Sequence, residues 1–417
     1  MRRRKMGSRT PILLLLITLA GVAALAQDWP EFRGPTGQGI STERGLPLEW
    51  SESRNVIWKT PVPGLGWSSP VVAGGRVWLT TAIAQRGAAS LRAVAFDVET
   101  GNLVVNTEVF RLGNARLTNP KNSFASPTPI VDGARVYVHF GANGTAALTT
   151  SGEIIWKTKL PYESQHGDGG SPALYNDLLI ISCDGSDEAF VAALDTRTGK
   201  IRWKTSRRQP WDQAYSTPLV IRVGDRDEVV SVGAYRAAAY DPQSGKEIWR
   251  VSYAEGFSNV PRPVYGHGLV YIATGFQEPS LLAVRADGAG DVTRTHVAWK
   301  LRRAAPLTPS PLLVGDELYL VSDIGIASCL DAETGAVRWL QRLGGNYSAS
   351  PIFADGRIYF LSEEGVATVI APGKEFRKLA MSALDGATLA SMAVSGGSIF
   401  IRTDSHLYRI GQTSSPN

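Results

Sequence analysis

The sequence predicts an all-β chain folded as a single eight-bladed β-propeller, each blade a four-stranded antiparallel sheet. Three recurring strings carry that prediction: a Ser-Pro or Thr-Pro that opens a short apolar run, a glycine-turned hairpin, and an Asp…Gly…Trp turn that closes the unit. They return in fixed order with a period of about 45 residues, which is the signature of a repeat architecture and most simply of a propeller blade. The composition agrees, with 43 Gly and 24 Pro separating short runs rich in Val, Ile, Tyr and Trp.

The blade starts read as Ser69-Pro70, Ser126-Pro127, Ser171-Pro172, Thr217-Pro218, Arg262-Pro263, Ser310-Pro311, Ser350-Pro351 and a degenerate Ser391-Met392. The hairpins follow as VAGGRVWLT, VDGARVYVH, VGDELYLVS, ADGRIYFLS and VSGGSIFIR. Gly between alternating apolar runs supplies the positive φ that tight hairpins need. The closing strings are FDVETGNLVV, LDTRTGKIRW, YDPQSGKEIW and LDAETGAVRW. In each the Asp accepts backbone N–H bonds across the turn and Gly takes the left-handed position before the outer strand. Trp156, Trp203, Trp249 and Trp339 sit on those outer strands, and Trp299 closes a longer, divergent copy.

The last start, at Ser391, is followed by VSGGSIFIRTDSHLYRI, which supplies three strands before the chain runs out. The missing Trp-bearing strand is NVIWKT, residues 55–60, at the other end. Pairing the two termini closes the ring without a free sheet edge.

Residues 1–26 read as an export signal, with a basic head, an apolar run from Ile12 to Ala20 and the small-residue pattern Ala24-Leu25-Ala26 before Gln27. The apolar run is shorter than a bilayer span, so no transmembrane segment is expected after cleavage. Five of the 43 basic residues fall in this leader, and the remainder balance the 38 acidic ones. A near-neutral exported chain has no electrostatic case for a nucleic-acid partner. The domain reading is therefore a signal peptide at 1–26, a Gly- and Pro-rich segment at 27–53 laid over one face of the ring, the propeller at 54–411, and a disordered tail at 412–417.

The A-x-D-x-x-T-G-x-x-x-W strings resemble the pyrroloquinoline quinone (PQQ)-like repeat family, as do WPEFRGPTGQG, NSFASPTPIVDGARVYVHFG, GDVTRTHVAWK and RLGGNYSASPIFADGRIYF. The resemblance implies a docking role between blades for Trp58, Trp156, Trp203, Trp249, Trp299 and Trp339, with Val105 and Arg377 at the equivalent place in two blades. It further implies one of two roles. BamB-like outer-membrane assembly proteins use the ring as a non-catalytic scaffold. Quinoprotein dehydrogenases use it to hold PQQ and calcium. This chain lacks the adjacent cysteine pair of such dehydrogenases and the lipid-anchoring cysteine of the assembly lipoprotein. Cys183 and Cys329 fall three blades apart, too far for a disulfide.

In a propeller the loops before the innermost strands meet at one mouth of the axial channel. Those loops carry Trp67, Lys121, Asn122, His166, Asp168, Trp211, Asp212, Tyr215, Asn259, Arg262, Asn346 and Tyr347. They read either as a ring facing one ligand or as ordinary loop chemistry. Asp168 is a weak candidate for a base or metal ligand, and Lys121 and Arg262 for basic partners of an anion. Arg262 replaces the usual hydroxyl before Pro, and either a ligand carboxylate or a structural partner such as Asp212 explains it. Asp184, Asp187 and Glu188 in CDGSDE read as a weak calcium site or as a solvated turn.

The favoured function is an exported, soluble, monomeric binding or scaffold protein of the periplasm or cell exterior, with an envelope protein or a small anionic ligand as partner. The alternative is a PQQ-dependent oxidoreductase with PQQ and calcium at the channel mouth. A further alternative is a carbohydrate-binding propeller.

Overall fold

The computed structural model describes residues 27–113, 119–167, 169–207, 212–254 and 256–413. The expected signal peptide, Asp168, Trp211 and most of the expected tail lie outside these residues. The structure is all-β, with eight sheets arranged as the blades of a ring. Blades 1 to 7 span residues 71–112, 130–158, 173–206, 219–252, 264–301, 312–342 and 352–383. Blade 8 takes three strands from 393–410 and its outer strand, Val56–Pro61, from the other end of the chain. That strand runs antiparallel to His406–Ile410, with Trp58 opposite Arg409 and Pro61 opposite His406.

Blade 3 shows how sequence makes a blade. The inner strands Leu178–Asp184 and Ala189–Asp195 are almost wholly buried, since blades cover both of their faces. The outer strand Ile201–Ser206 buries Trp203 and exposes its neighbours. Trp203 stands opposite Ala193, just before a β-bulge. The same small-against-large pairing recurs as Ala147 with Trp156, Ala239 with Trp249, Ala283 with Trp299 and Cys329 with Trp339. Cys329 thus fills an alanine position, and both it and Cys183 are buried and unbridged. In blade 7 the residue before the bulge is Ala380, opposite Val369, while Arg377 pairs further along with Ala371. Ala380, not Arg377, therefore takes the tryptophan's place, because the turn before this strand differs in length from the others.

Each outer-strand tryptophan meets the closing turn of the following blade. The indole N–H of Trp58 donates to the Val98 carbonyl (3.0 Å), that of Trp156 to Thr196 (3.0 Å) and that of Trp203 to Pro242 (2.9 Å). Trp299 and Trp339 reach Ala332 and Gly373, both at 3.1 Å. Two residues beyond the ring, the Thr158 and Thr205 hydroxyls donate to the Gly199 and Gly245 carbonyls, both at 2.7 Å. This is the physical content of the repeated Trp-Lys-Thr. Trp249 differs: its indole N–H donates to Glu228 of its own blade (2.8 Å). The longer closing segment of blade 5 covers it, adding Gly290–Asp291 as a parallel fifth strand on blade 4.

At the axis, the backbone N–H at seven of the eight blade starts donates to a hydroxyl of the next blade. Ser69 donates to Thr128, Thr128 to Ser171 and Ser171 to Thr217, all at 2.9 Å. Beyond one interruption, Arg262 donates to Ser310 (2.9 Å), Ser310 to Ser350 (3.0 Å), Ser350 to Ser391 (2.9 Å) and Ser391 back to Ser69 (3.0 Å). The start of blade 2 is thus Thr128-Pro129, two residues later than the sequence reading. Ser126 instead bonds Asn122 in the preceding loop (2.6 Å).

The segment before the propeller runs past the inner strands at the other end of the channel. Trp29 pairs with Val72, the Pro30 carbonyl accepts the Val131 N–H (2.8 Å), and Ile40 bridges to Phe353. Trp29 is fully buried, and Trp50 stacks near Tyr359 with 6.4 Å between centroids.

The stacking of tryptophan on glycine sets up a paired test. Gly199 (φ 70°) and Gly224 (φ 56°) both hold left-handed backbone. A Cβ at Gly199 would fall 2.5 Å from the Trp156 ring, whereas one at Gly224 would meet nothing within 4 Å. Alanine at either site costs about 1 kcal/mol in backbone strain, and at Gly199 at least about 1–2 kcal/mol more from overpacking. Guanidinium unfolding of the two variants should show this gap. Equal losses would mean that the stack contributes nothing.

Buried His139 gives a pH signature. Its polar partner among the described residues is the Thr145 hydroxyl at 2.8 Å, and burial pushes its pKa down to about 4. The unfolded chain therefore takes up this proton first as pH falls. The stability is present in full above about pH 6.5 and drains away towards pH 4, by up to about 3 kcal/mol. Asp184, raised to about 6 by burial, acts with the opposite sign over much of the same range. His139→Gln against the unsubstituted chain isolates the histidine: the variant should lose less stability between pH 6.5 and 4 in urea titrations.

Candidate functional site

The approach to each inner strand is extended, so residues two apart point to the same side. This places two tiers of side chains around the axis. The lower tier is the ring of seven blade-start hydroxyls, each buried yet facing a central cavity of about 620 Å³. The upper tier lies two residues earlier in every blade and forms the wall: Trp67, Ser126, Gly169 and Tyr215 in the first half, then Val260, Thr308, Ser348 and Leu389. The lower tier is nearly uniform and the upper tier is not. Phe32, from the segment before the propeller, also lines the cavity.

Further wall comes from the blade loops. Phe257 and Phe276 pack edge to face at 5.6 Å and make one side apolar, together with Val260 and Leu307. A hairpin of blade 6 puts the Asp323 carboxylate in the wall, and the equivalent hairpin of blade 7 sets Glu363 behind it, against Ser348 and Lys121. Asp323 accepts the Leu307 N–H (2.7 Å), and Glu363 accepts the Ser348 hydroxyl (2.6 Å). Lys121 reaches from the loop before blade 2 to Glu363 in blade 7 and pairs with it at 2.8 Å. Its side chain is 60% exposed against 15% for Glu363, so this link is a solvent-facing strap that adds little stability. The Asn122 side chain donates to the His166 carbonyl (2.7 Å), and the His166 ring lies 6.4 Å from that of Tyr215.

Of the residues chosen from sequence, the structure gathers Trp67, Lys121, Asn122, His166 and Tyr215 around the cavity. Asn259, Arg262, Asn346 and Tyr347 do not line it. Asn259 is fully buried, and its side chain donates to the Tyr253 hydroxyl and the Ala273 carbonyl, both at 3.3 Å. Tyr347 is buried behind the wall, and Asn346 bonds outward to Glu364 (3.2 Å). Asp212 accepts a hydrogen bond from the Tyr235 hydroxyl.

Arg262 lies beneath the hydroxyl ring. Its guanidinium donates to the Pro218 and Phe32 carbonyls at 3.1 and 2.7 Å, with Glu31 at 3.5 Å. Its structural partner is therefore Glu31, not Asp212. Beside it, buried Arg33 donates to the Gln38 and Pro311 carbonyls, both at 2.7 Å, and burial next to Arg262 brings its pKa down to about 9. These two arginines fasten the segment that carries Phe32.

The three carboxylates of CDGSDE diverge. Asp184 is buried against Arg207 (2.8 Å), Asp187 accepts the Glu163 N–H (2.7 Å), and Glu188 pairs with Lys204 (2.7 Å). Among the described residues no group of His, Cys, Asp or Glu is placed to hold a metal ion, and no helix is long and apolar enough to cross a membrane.

Sequence reading missed Asp323, Phe257 and Phe276 in the wall and Glu363 behind it, and treated the blade-start hydroxyls only as markers of the repeat. The parallel strings VSDIGIAS and LSEEGVAT did mark Asp323 and Glu363 as equivalent acidic positions on adjacent blades.

Comparison with known proteins fits this geometry. A curated relative, the outer membrane protein assembly factor BamB of Burkholderia pseudomallei (strain K96243), is 26% identical over 230 residues, covering 51% of this chain and 54% of that protein. The match thus spans about half the length of that relative. Among solved structures, BamB from Moraxella catarrhalis superposes with a TM-score of 0.60 at 14% identity, over 87% of this chain and 98% of that one. A europium-containing methanol dehydrogenase gives 0.62 at 10% identity, over 91% and 90%. At such identities both show a shared fold. The family described as outer membrane protein assembly factor BamB matches residues 40–182, 107–341 and 187–415, so that its matches run through nearly all of the ring, and the chain belongs to that family of PQQ-like eight-bladed propellers.

Proposed function

We propose that the chain is an exported, non-catalytic binding or scaffold protein of the cell envelope. The observation that carries this reading is the charge inventory of the cavity. PQQ bears three carboxylates and calls for several basic partners. The described wall offers one cation, Lys121, already paired with Glu363 and accompanied by a second carboxylate, Asp323. Arg33 and Arg262 lie under the floor and turn to backbone carbonyls and Glu31. These residues do not fit a tricarboxylate cofactor, and the carboxylates of the CDGSDE turn do not converge on a calcium ion.

Membership in a family described by an outer-membrane assembly factor supports a place in the envelope, as does the export signal read at residues 1–26. The outer strands add surface for partners. Ile57, Val104, Ile155 and Ile201, on four consecutive blades of the ring, are 42 to 50% exposed.

The competing reading, a quinoprotein dehydrogenase, is separated by thermal unfolding of the exported chain with PQQ and Ca²⁺. No shift is expected up to about 1 mM ligand, whereas binding at 100 times Kd would stabilise by about 2.7 kcal/mol. A saturable rise would put the dehydrogenase first. Photoreactive residues at Ile155 and Ile201 should give discrete adducts with envelope proteins in cells. Their absence from both positions would count against a scaffold that works through its rim.

A further inference from the structure

We infer that the channel cavity is a binding site for a neutral carbohydrate of one or two sugar rings. The inference rests on reading the chain as a binding protein and names the class of ligand. The cavity's roughly 620 Å³ lies in the range of small-ligand sites. Phe32 stands at one end, so the opening lies at the loop mouth.

The floor decides the polarity of the ligand. Each of the seven hydroxyl oxygens accepts a backbone N–H of the preceding blade, which leaves its own proton to offer. The floor is therefore a circle of donors. The wall supplies an acceptor, because the Asp323 carboxylate keeps lone pairs beyond those that take the Leu307 and Thr308 N–H groups. Tyr215, Phe257 and Phe276 face the same space, with Trp67 across from them.

Two ligand classes fail against this set. A purely apolar molecule would leave buried hydroxyls unsatisfied, at about 1–3 kcal/mol each. An anion would find donors below but, among the described residues, the Asp323 carboxylate beside it and a lysine, Lys121, already paired with Glu363. A sugar ring matches every part, since each of its hydroxyls both donates and accepts and its C–H faces stack on aromatic rings.

The test is isothermal titration of the full chain, purified after export, with maltose, cellobiose and N,N′-diacetylchitobiose, each to about 10 mM. At least one should bind saturably, with Kd between about 10 μM and 1 mM. Phe276→Ala removes a ring that is 53% exposed, and Asp323→Asn keeps an acceptor for the Leu307 N–H. Each should weaken that binding about tenfold while the unfolding temperature stays within a few degrees. No heat with any of the three sugars overturns the carbohydrate site and leaves the scaffold reading standing. Binding that both variants leave unchanged puts the sugar elsewhere and also overturns it. Binding of PQQ with Ca²⁺ in place of sugar overturns both readings.

Discussion

The ring rests on a circle of backbone-to-hydroxyl hydrogen bonds at its axis. Each blade start is buried there, and a buried N–H without a partner costs more than a typical hydrogen bond returns. A hydroxyl at the same position of the next blade satisfies it at 2.9 to 3.0 Å. The bond from Ser391 to Ser69 completes the circle between two residues 322 positions apart. Because every link needs the neighbouring blade in place, blade number and blade start are fixed together. The outer contacts repeat the logic at larger radius, with tryptophan on glycine and threonine on the glycine carbonyl. The Val56–Pro61 strand is then required in blade 8, since without it the Trp58 contact with blade 1 would be lost.

The one break in the circle is where the segment before the propeller is fastened. Position 262 supplies no hydroxyl, and its guanidinium turns down to Glu31 and the Phe32 carbonyl. Burial lowers its pKa while Glu31 opposes that shift, so the pair is held by mutual need. A serine there would serve the ring but leave Glu31 buried without its cation. The sequence departs from its own repeat at the place where the repeat meets something outside it.

How far the chain could be read without coordinates follows from the same division. Blade count, closing strand and closing turns were legible because they repeat, and repetition exposes a constraint that a single copy hides. The start of blade 2 was misplaced because Ser126-Pro127-Thr128-Pro129 offers the same signal twice, and only the bond from Ser69 to Thr128 selects between them. Arg377 was chosen over Ala380 because the count ran from the turn, and the turn before this strand differs in length from the others. In the site, Trp67 and Tyr215 were found because unusual side chains in mouth loops stand out. Phe276 and Asp323 were not, since they come from hairpins between the second and third strands, whose direction depends on strand length. Arg262 was assigned to the mouth because sequence gives a position on the ring but not whether a long side chain turns up or down.

The two tiers also explain why membership in the family leaves the ligand open. The lower tier is tied to ring closure, so it stays Ser or Thr in seven of eight blades and gives any relative built this way a similar donor floor. The upper tier, two residues away, makes no bond that the ring requires. Its side chains range from Gly169 to Trp67 within one molecule. On the proposed reading as a binding protein, selectivity therefore resides in the upper tier and in the hairpin residues beside it. Among the described residues those positions carry aromatic rings and the Asp323 carboxylate, with Lys121 already claimed by Glu363. A fold shared with a methanol dehydrogenase and an assembly factor accounts for the cavity, and the upper tier for what can enter it.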